Sequence, residues 1–89
     1  MALVVQKYGG TSVANAERIN AVAKRVMDRQ KKGDQNVVVL SARAGETDRL
    51  ITLGCELAEC PDPREMDVLL ATGEQTTIAL FCIAVKAMG

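Results

Sequence analysis

Leu3-Val4-Val5-Gln6-Lys7-Tyr8-Gly9-Gly10-Thr11-Ser12 sets the fold class, because a β-branched run stops on a glycine pair. Leu3–Lys7 reads as a strand and Gly9-Gly10 as the turn that ends it. Downstream, Ile19, Val22, Ala23, Val26 and Met27 recur at i, i+3, i+4, i+7 and i+8, which marks an amphipathic helix over residues 16–32. Asn15 is placed to cap its start, and Gly33 to stop it after the basic end Arg29-Gln30-Lys31-Lys32. Its opposite face, Arg18, Lys24, Arg25 and Asp28, reads as solvated. Val37-Val38-Val39-Leu40 is a second strand, continuously apolar as expected when both faces are covered. Strand, helix and strand in this order make a βαβ unit, so the strands should pair in parallel through a right-handed crossover.

The remainder reads as helices. Ser41-Ala42-Arg43-Ala44-Gly45-Glu46-Thr47 is a loop, and Thr47 or Glu46 caps the helix after it, with Leu50, Ile51, Gly54, Leu57 and Ala58 on one face. Cys60-Pro61 interrupts that helix. Asp62-Pro63-Arg64-Glu65 then supplies an N-cap, a proline at N1 and a glutamate at N3. This helix, through Met66, Leu69 and Leu70, is expected to break at Ala71-Thr72-Gly73. A last helix from Glu74 to about Met88 is apolar around most of its circumference and calls for burial on several sides. Two strands are too few to serve four helical segments, since parallel sheets are covered on both faces and are usually larger. The inventory therefore points to a piece of a larger α/β domain or to an obligate assembly.

Composition narrows the function. The 89 residues carry 11 Lys plus Arg against 11 Asp plus Glu, and the aromatics are Tyr8 and Phe81 alone. A neutral, aromatic-poor chain has neither the field nor the stacking surfaces that favour nucleic acid as a partner. With 48% hydrophobic residues and no net charge, disorder is not expected. The absence of histidine removes the commonest general base, the commonest zinc ligand and every Ser-His or Cys-His dyad. Cys55, Cys60 and Cys82 follow no metal or redox spacing and read as small buried hydrophobes in a reducing cytosol. Met1 leads into Ala2-Leu3-Val4-Val5 without a basic leader, and Thr76–Val85 is about half the length of a membrane span. A cytoplasmic chain with no membrane partner is the expectation.

Chemistry concentrates at three glycine-bearing breaks: Lys7–Ser12, Ser41–Thr47 and Ala71-Thr72-Gly73-Glu74. The first two follow adjacent parallel strands, the edge where open α/β sheets bind ligands. Glycines there let backbone N–H groups approach an anion, the following helix N-terminus favours negative charge, and Lys7 adds a full positive one. A phosphate is the ligand this suits. The plainer alternative is a Gly-Gly tight turn with an incidental lysine. The P-loop pattern G-x-x-x-x-G-K-S/T fails, because Lys7 precedes the glycines, and G-x-G-x-x-G fails as well. Thr47 could be only an N-cap and Glu74 only a first-turn carboxylate complementing a helix dipole.

Together the three breaks are more specific. Lys7-Tyr8-Gly9-Gly10-Thr11-Ser12, Val39-Leu40-Ser41-Ala42 with Gly45 and Thr47, and Thr72-Gly73-Glu74-Gln75 resemble, in order and spacing, the opening of aspartokinases in the amino acid kinase family. The resemblance covers essentially the whole chain. It implies an α/β fold, the βαβ start of a three-layer αβα amino acid kinase (carbamate kinase-like) domain, incomplete in this chain. Residues 1–89 would be the N-terminal portion, with the C-terminal half and the ACT regulatory domains lying outside it.

The same resemblance implies the reaction of ATP with L-aspartate to give 4-phospho-L-aspartate, with Mg²⁺, in lysine, threonine and methionine biosynthesis. It assigns Lys7 to the transferring phosphoryl group, and Tyr8, Gly9, Gly10 and Ser41 to the nucleotide phosphates. Thr47 and Glu74 would bind aspartate, with Glu74 suited to the substrate ammonium. Tyr8 is otherwise a core or pocket-wall residue. A carboxylate nucleophile is already ionised at neutral pH, so such chemistry needs no histidine base. Arg43 stands where the family often has a small or apolar residue, and Ala71 where serine is common. The alternatives are an inactive truncated fragment, or an anion-binding module that needs a partner chain; a homo-oligomer or a complementing chain is compatible with either.

Overall fold

The computed structural model describes residues 1–89, in the order β1 (Leu3–Tyr8), a 3-10 turn (Gly10–Val13), α1 (Ala16–Lys31), β2 (Gln35–Leu40), α2 (Glu46–Leu57) and α3 (Pro63–Ala87). The expected βαβ unit is present. β1 and β2 pair in parallel, in register from Leu3 with Gln35 to Tyr8 with Leu40. The α1 caps are those the sequence indicates. Asn15 accepts from the Arg18 N–H through its side chain, and Gly33 takes φ +92° just past the helix end, a conformation glycine adopts without steric cost.

One face of the sheet is packed. Along β1, Val4, Gln6 and Tyr8 are half-buried, and along β2 Asn36, Val38 and Leu40. The main core is Val13, Ile19, Val22, Ala23 and Ala84, with Tyr8, Leu40, Leu80, Phe81 and Val85 packed against it. It thus joins the turn after β1, the inner face of α1 and the C-terminal half of α3.

Three expectations are corrected, for one shared reason. β2 was read as covered on both faces, but Val37 and Val39 are exposed, and beside them Leu3 and Val5 are each 67% exposed. The last helix was read as buried on several sides, yet only Gly73, Thr77 and Ala84 of α3 are buried. Cys55, Cys60 and Cys82 were read as buried and are all exposed. In each case the residues are apolar and the 89-residue chain offers no second layer to cover them. The molecule is correspondingly elongated, 51 × 24 × 18 Å with a radius of gyration of 15.5 Å, against about 12 Å for a compact chain of this length.

The C-terminal helices differ from the sequence reading too. No break occurs at Ala71-Thr72-Gly73; α3 runs unbroken for 25 residues. The hydroxyls of Thr72, Thr76 and Thr77 donate to the carbonyls of Leu69, Thr72 and Gly73. They are spent on the helix itself and offer no competing turn. Taken whole, α3 is long and apolar enough to cross a bilayer on length and composition alone, which Thr76–Val85 by itself is not.

Candidate functional site

The site is built where the three glycine-bearing breaks meet. β1 delivers Lys7 and Tyr8 to the carboxyl edge of the sheet. There the Tyr8 carbonyl accepts from the Ser41 N–H at 3.2 Å, and the Gly10 carbonyl from the Ala44 N–H at 3.0 Å. The turn after β1 and the loop after β2 are therefore fastened backbone to backbone. Gly10 makes this possible. A Cβ added there would lie 2.8 Å from the Ala42 carbonyl oxygen, closer than real Cβ atoms come, and 3.1 Å from the Ala44 nitrogen, tighter than most.

The third break joins through Gly73. A Cβ on it would lie 3.2 Å from the Ala42 Cβ, 3.4 Å from the Glu46 Cγ and 3.4 Å from the Leu50 Cδ1. Gly73 is thus not a helix breaker but a flat spot on α3 against which the 41–47 loop and the first turn of α2 rest. Ala42 touches both glycines, with its backbone at Gly10 and its methyl at Gly73. The three segments are one structural unit.

Each sequence-predicted residue has a place in it. Lys7 is exposed, shares the bare face of β1 with Leu3 and Val5, and forms no ion pair. Gly9 is exposed, with open space where a Cβ would be. Ser41 is half-buried beside Tyr8. The Tyr8 ring packs on the core and its hydroxyl donates to Gln6 Oε1, so of its two readings, core or pocket wall, the packing shows the first. Thr47 is exposed in the first turn of α2. It is not the cap: α2 starts at Glu46, and the capping position is Gly45 at φ +81°. Glu74 is exposed and lies in the middle of α3, so the reading of it as a first-turn carboxylate complementing a helix dipole falls away. No hydrogen bond joins Thr47 to Glu74, but the residues beside them face each other, a Cβ added at Gly73 lying 3.4 Å from the Glu46 Cγ.

Glu46 is the residue sequence reasoning missed. Its Oε2 accepts from Arg43 Nη2 at 3.1 Å, and its Oε1 accepts from Arg49 Nε at 2.9 Å and also from Arg49 Nη2. The hydrogen bond from Arg49 is the main cause that holds its carboxyl below the usual value; the charges of Arg49 and Arg43 act the same way, against a smaller opposing effect of desolvation. The signal was in the sequence, as two arginines at i−3 and i+3 around one glutamate. Arg43 Nε is buried with no hydrogen-bond partner.

The edge is open. None of the clefts on the molecule is lined by Lys7, Gly9, Gly10, Ser41 or Glu74; the largest, about 540 Å³, lies between the end of α1 and the end of α3. What the chain offers is an unpaired cation, free backbone at a strand-to-turn junction and two exposed polar side chains on adjoining elements. These suit an anion approached from outside the sheet edge.

Comparison with known proteins gives this geometry a family. Residues 2–89 match the amino acid kinase family. The whole chain aligns with an aspartate kinase of Pseudomonas putida and an aspartokinase of Pseudomonas aeruginosa, each at 54% identity, and with an aspartokinase of Mycolicibacterium smegmatis at 51%. It spans only 21–22% of those relatives' length. In three dimensions 99% of the chain superposes on a crystal structure of aspartate kinase from Synechocystis, with a TM-score of 0.92 at 45% identity, covering 15% of that chain. The parallel βαβ start is accordingly that of an amino acid kinase fold, similar to the N-terminal part of aspartokinases, and the chain belongs to the amino acid kinase family.

Proposed function

We propose that this segment supplies the phosphoryl-facing and aspartate-facing part of an aspartate kinase, which transfers the γ-phosphoryl group of ATP to the side-chain carboxylate of L-aspartate. The observation that carries the reading is the convergence on Ala42, where the Gly10 turn and the Gly73 surface of α3 meet the Ser41–Thr47 loop. That convergence puts Lys7, Gly9, Gly10 and Ser41 at one edge, with Thr47 and Glu74 on the elements beside it.

In this reading a carboxylate oxygen of aspartate attacks the γ-phosphorus, the bond to the bridging oxygen breaks, and ADP leaves. No proton need be removed from the nucleophile. The work left to the protein is positioning, and neutralising charge on the phosphoryl oxygens. Lys7, with no carboxylate competing for it, is available for that charge, and Gly9 and Gly10 leave their backbone approachable. Mg²⁺ would arrive with the nucleotide phosphates and share the neutralisation. Glu74 offers a carboxylate to the substrate ammonium and Thr47 a hydroxyl to the rest of the amino acid. Because the chain spans about a fifth of its relatives, this activity belongs to the assembled enzyme, a cytoplasmic kinase serving lysine, threonine and methionine biosynthesis.

The test uses ATP, Mg²⁺, aspartate and hydroxylamine, with aspartyl hydroxamate as readout. The 89-residue chain alone should form none, and steady turnover by it would refute the division of labour. In a full-length aspartate kinase with these residues as its first segment, Lys7→Ala should lower kcat by about 10²–10³, the scale of a lost transition-state charge contact. Glu74→Ala should chiefly raise the KM for aspartate; unchanged aspartate saturation would remove Glu74 from the site.

A further inference from the structure

The loop carrying Ser41 and Thr47 has to be held still relative to the helix carrying Glu74 if the two are to bind one small amino acid. Its backbone gives it few fixed points: Ser41 N–H to Tyr8, Ala44 N–H to Gly10, and Glu46 N–H to the Arg43 carbonyl at 2.9 Å. The last closes a tight turn whose corner is Gly45 at φ +81°. The same two residues close that turn a second time through their side chains, Arg43 Nη2 donating to Glu46 Oε2.

We propose that Glu46 is the positioning residue of the aspartate-binding pair, its carboxylate clasped by Arg43 on one oxygen and Arg49 on the other so that the Ser41–Thr47 loop is locked against α3 at Gly73. The inference rests on the assignment of Thr47 and Glu74 made above. Three contacts carry it. Arg43 ties the carboxylate to the loop, Arg49 ties it to the body of α2, and the Glu46 Cγ faces Gly73, next in sequence to Glu74, so closely that an added Cβ there would lie 3.4 Å from it. Each guanidinium makes its hydrogen bonds to Glu46 alone. Exposed ion pairs at this spacing contribute little by themselves. Here the Glu46 side chain as a whole is only 12% exposed, and its carboxylate is shared between two cations. Removing it would leave Arg43, whose Nε is already buried and unpartnered, with no anchor at all. Position N1 of α2 adds the favourable end of the helix dipole.

The experiment is amide hydrogen exchange on the 89-residue chain with Glu46→Gln, which keeps shape and removes charge. The Ala44 and Glu46 amides should lose about tenfold or more of their protection, while the Val22 and Ala23 amides of α1 keep theirs. Arg43→Met should reproduce the loss, and Glu46→Asp, a carboxylate on a shorter arm, should recover part of it. In a full-length aspartate kinase carrying the segment, Glu46→Gln should raise the KM for aspartate about tenfold and move kcat and the ATP KM by less than about twofold. Unchanged loop protection overturns the clasp. Lost protection with unmoved aspartate saturation overturns its part in substrate binding, and with it the Thr47–Glu74 assignment, while leaving the Lys7 prediction standing.

Discussion

Gly10, Gly54 and Gly73 are three glycines doing different jobs, and what a Cβ would meet separates them. At Gly10 the obstacles are backbone atoms, the Ala42 carbonyl oxygen at 2.8 Å and the Ala44 nitrogen at 3.1 Å, which belong to the loop that must stay close. At Gly54, in the middle of α2, the obstacle is Met66 Sδ at 2.8 Å, near the end of a flexible side chain that can turn away. Gly10→Ala should therefore cost about 1–3 kcal/mol, as overpacking does. Gly54→Ala should be neutral, or stabilising by up to about 1 kcal/mol, because alanine is the better helix former. Urea melts of the two variants check this, and equal midpoints would mean that the β1 turn and the 41–47 loop are not fastened as described. Gly73 stands between, since its neighbours at 3.2–3.4 Å are side-chain carbons of Ala42, Glu46 and Leu50.

Elements whose boundaries depend on local chemistry were legible; elements defined by what they touch were not. β1, α1 and β2 carry their own period, cap and stop, so Asn15 and Gly33 mark the ends of α1 in sequence and structure alike. Gly73 misled because a glycine in a helical pattern looks the same whether it ends the helix or lets a neighbour come close. Only the position of Ala42, thirty-one residues away in sequence, decides between them. The site divides likewise. Lys7, Gly9 and Gly10 follow from a strand ending on glycines, whereas Ser41, Thr47 and Glu74 were found through the family pattern. Glu46 went unread although its two arginines were visible. The start of α3 is a local signal and tests as one: Asp62 accepts from the Arg64 and Glu65 N–H groups, with Pro63 at the first helical position. Asp62→Ala should cost about 0.5–2 kcal/mol and speed amide exchange in the first turn of α3, without touching the contact at Gly73, eleven residues further along the chain; unchanged exchange in that first turn would show that the helix start is set by its packing and not by its cap.

For the whole molecule, the deciding quantity is how little of it is covered. Ten of 89 residues are buried, and all but Leu50 and the two helix-contact glycines, Gly54 and Gly73, lie with α1, its preceding turn or the C-terminal half of α3. The opposite sheet face presents Leu3 and Val5 beside Val37 and Val39, with Val5 and Val37 in register. An exposed apolar strip of this kind binds other surfaces, and in its relatives the chain is about a fifth of a longer protein. Because the strip packs on nothing in the chain, polar replacement there should leave the fold intact. Val5→Lys with Val37→Glu places opposite charges side by side across the register, where they attract weakly, by roughly 0.2–1 kcal/mol. The double variant should keep its far-UV circular dichroism while losing most of the fluorescence of a bound apolar dye such as ANS. Collapse of the helical signal together with the dye response would mean that the face is part of the chain's own core, and that the one-sided sheet is not how these residues are arranged in solution.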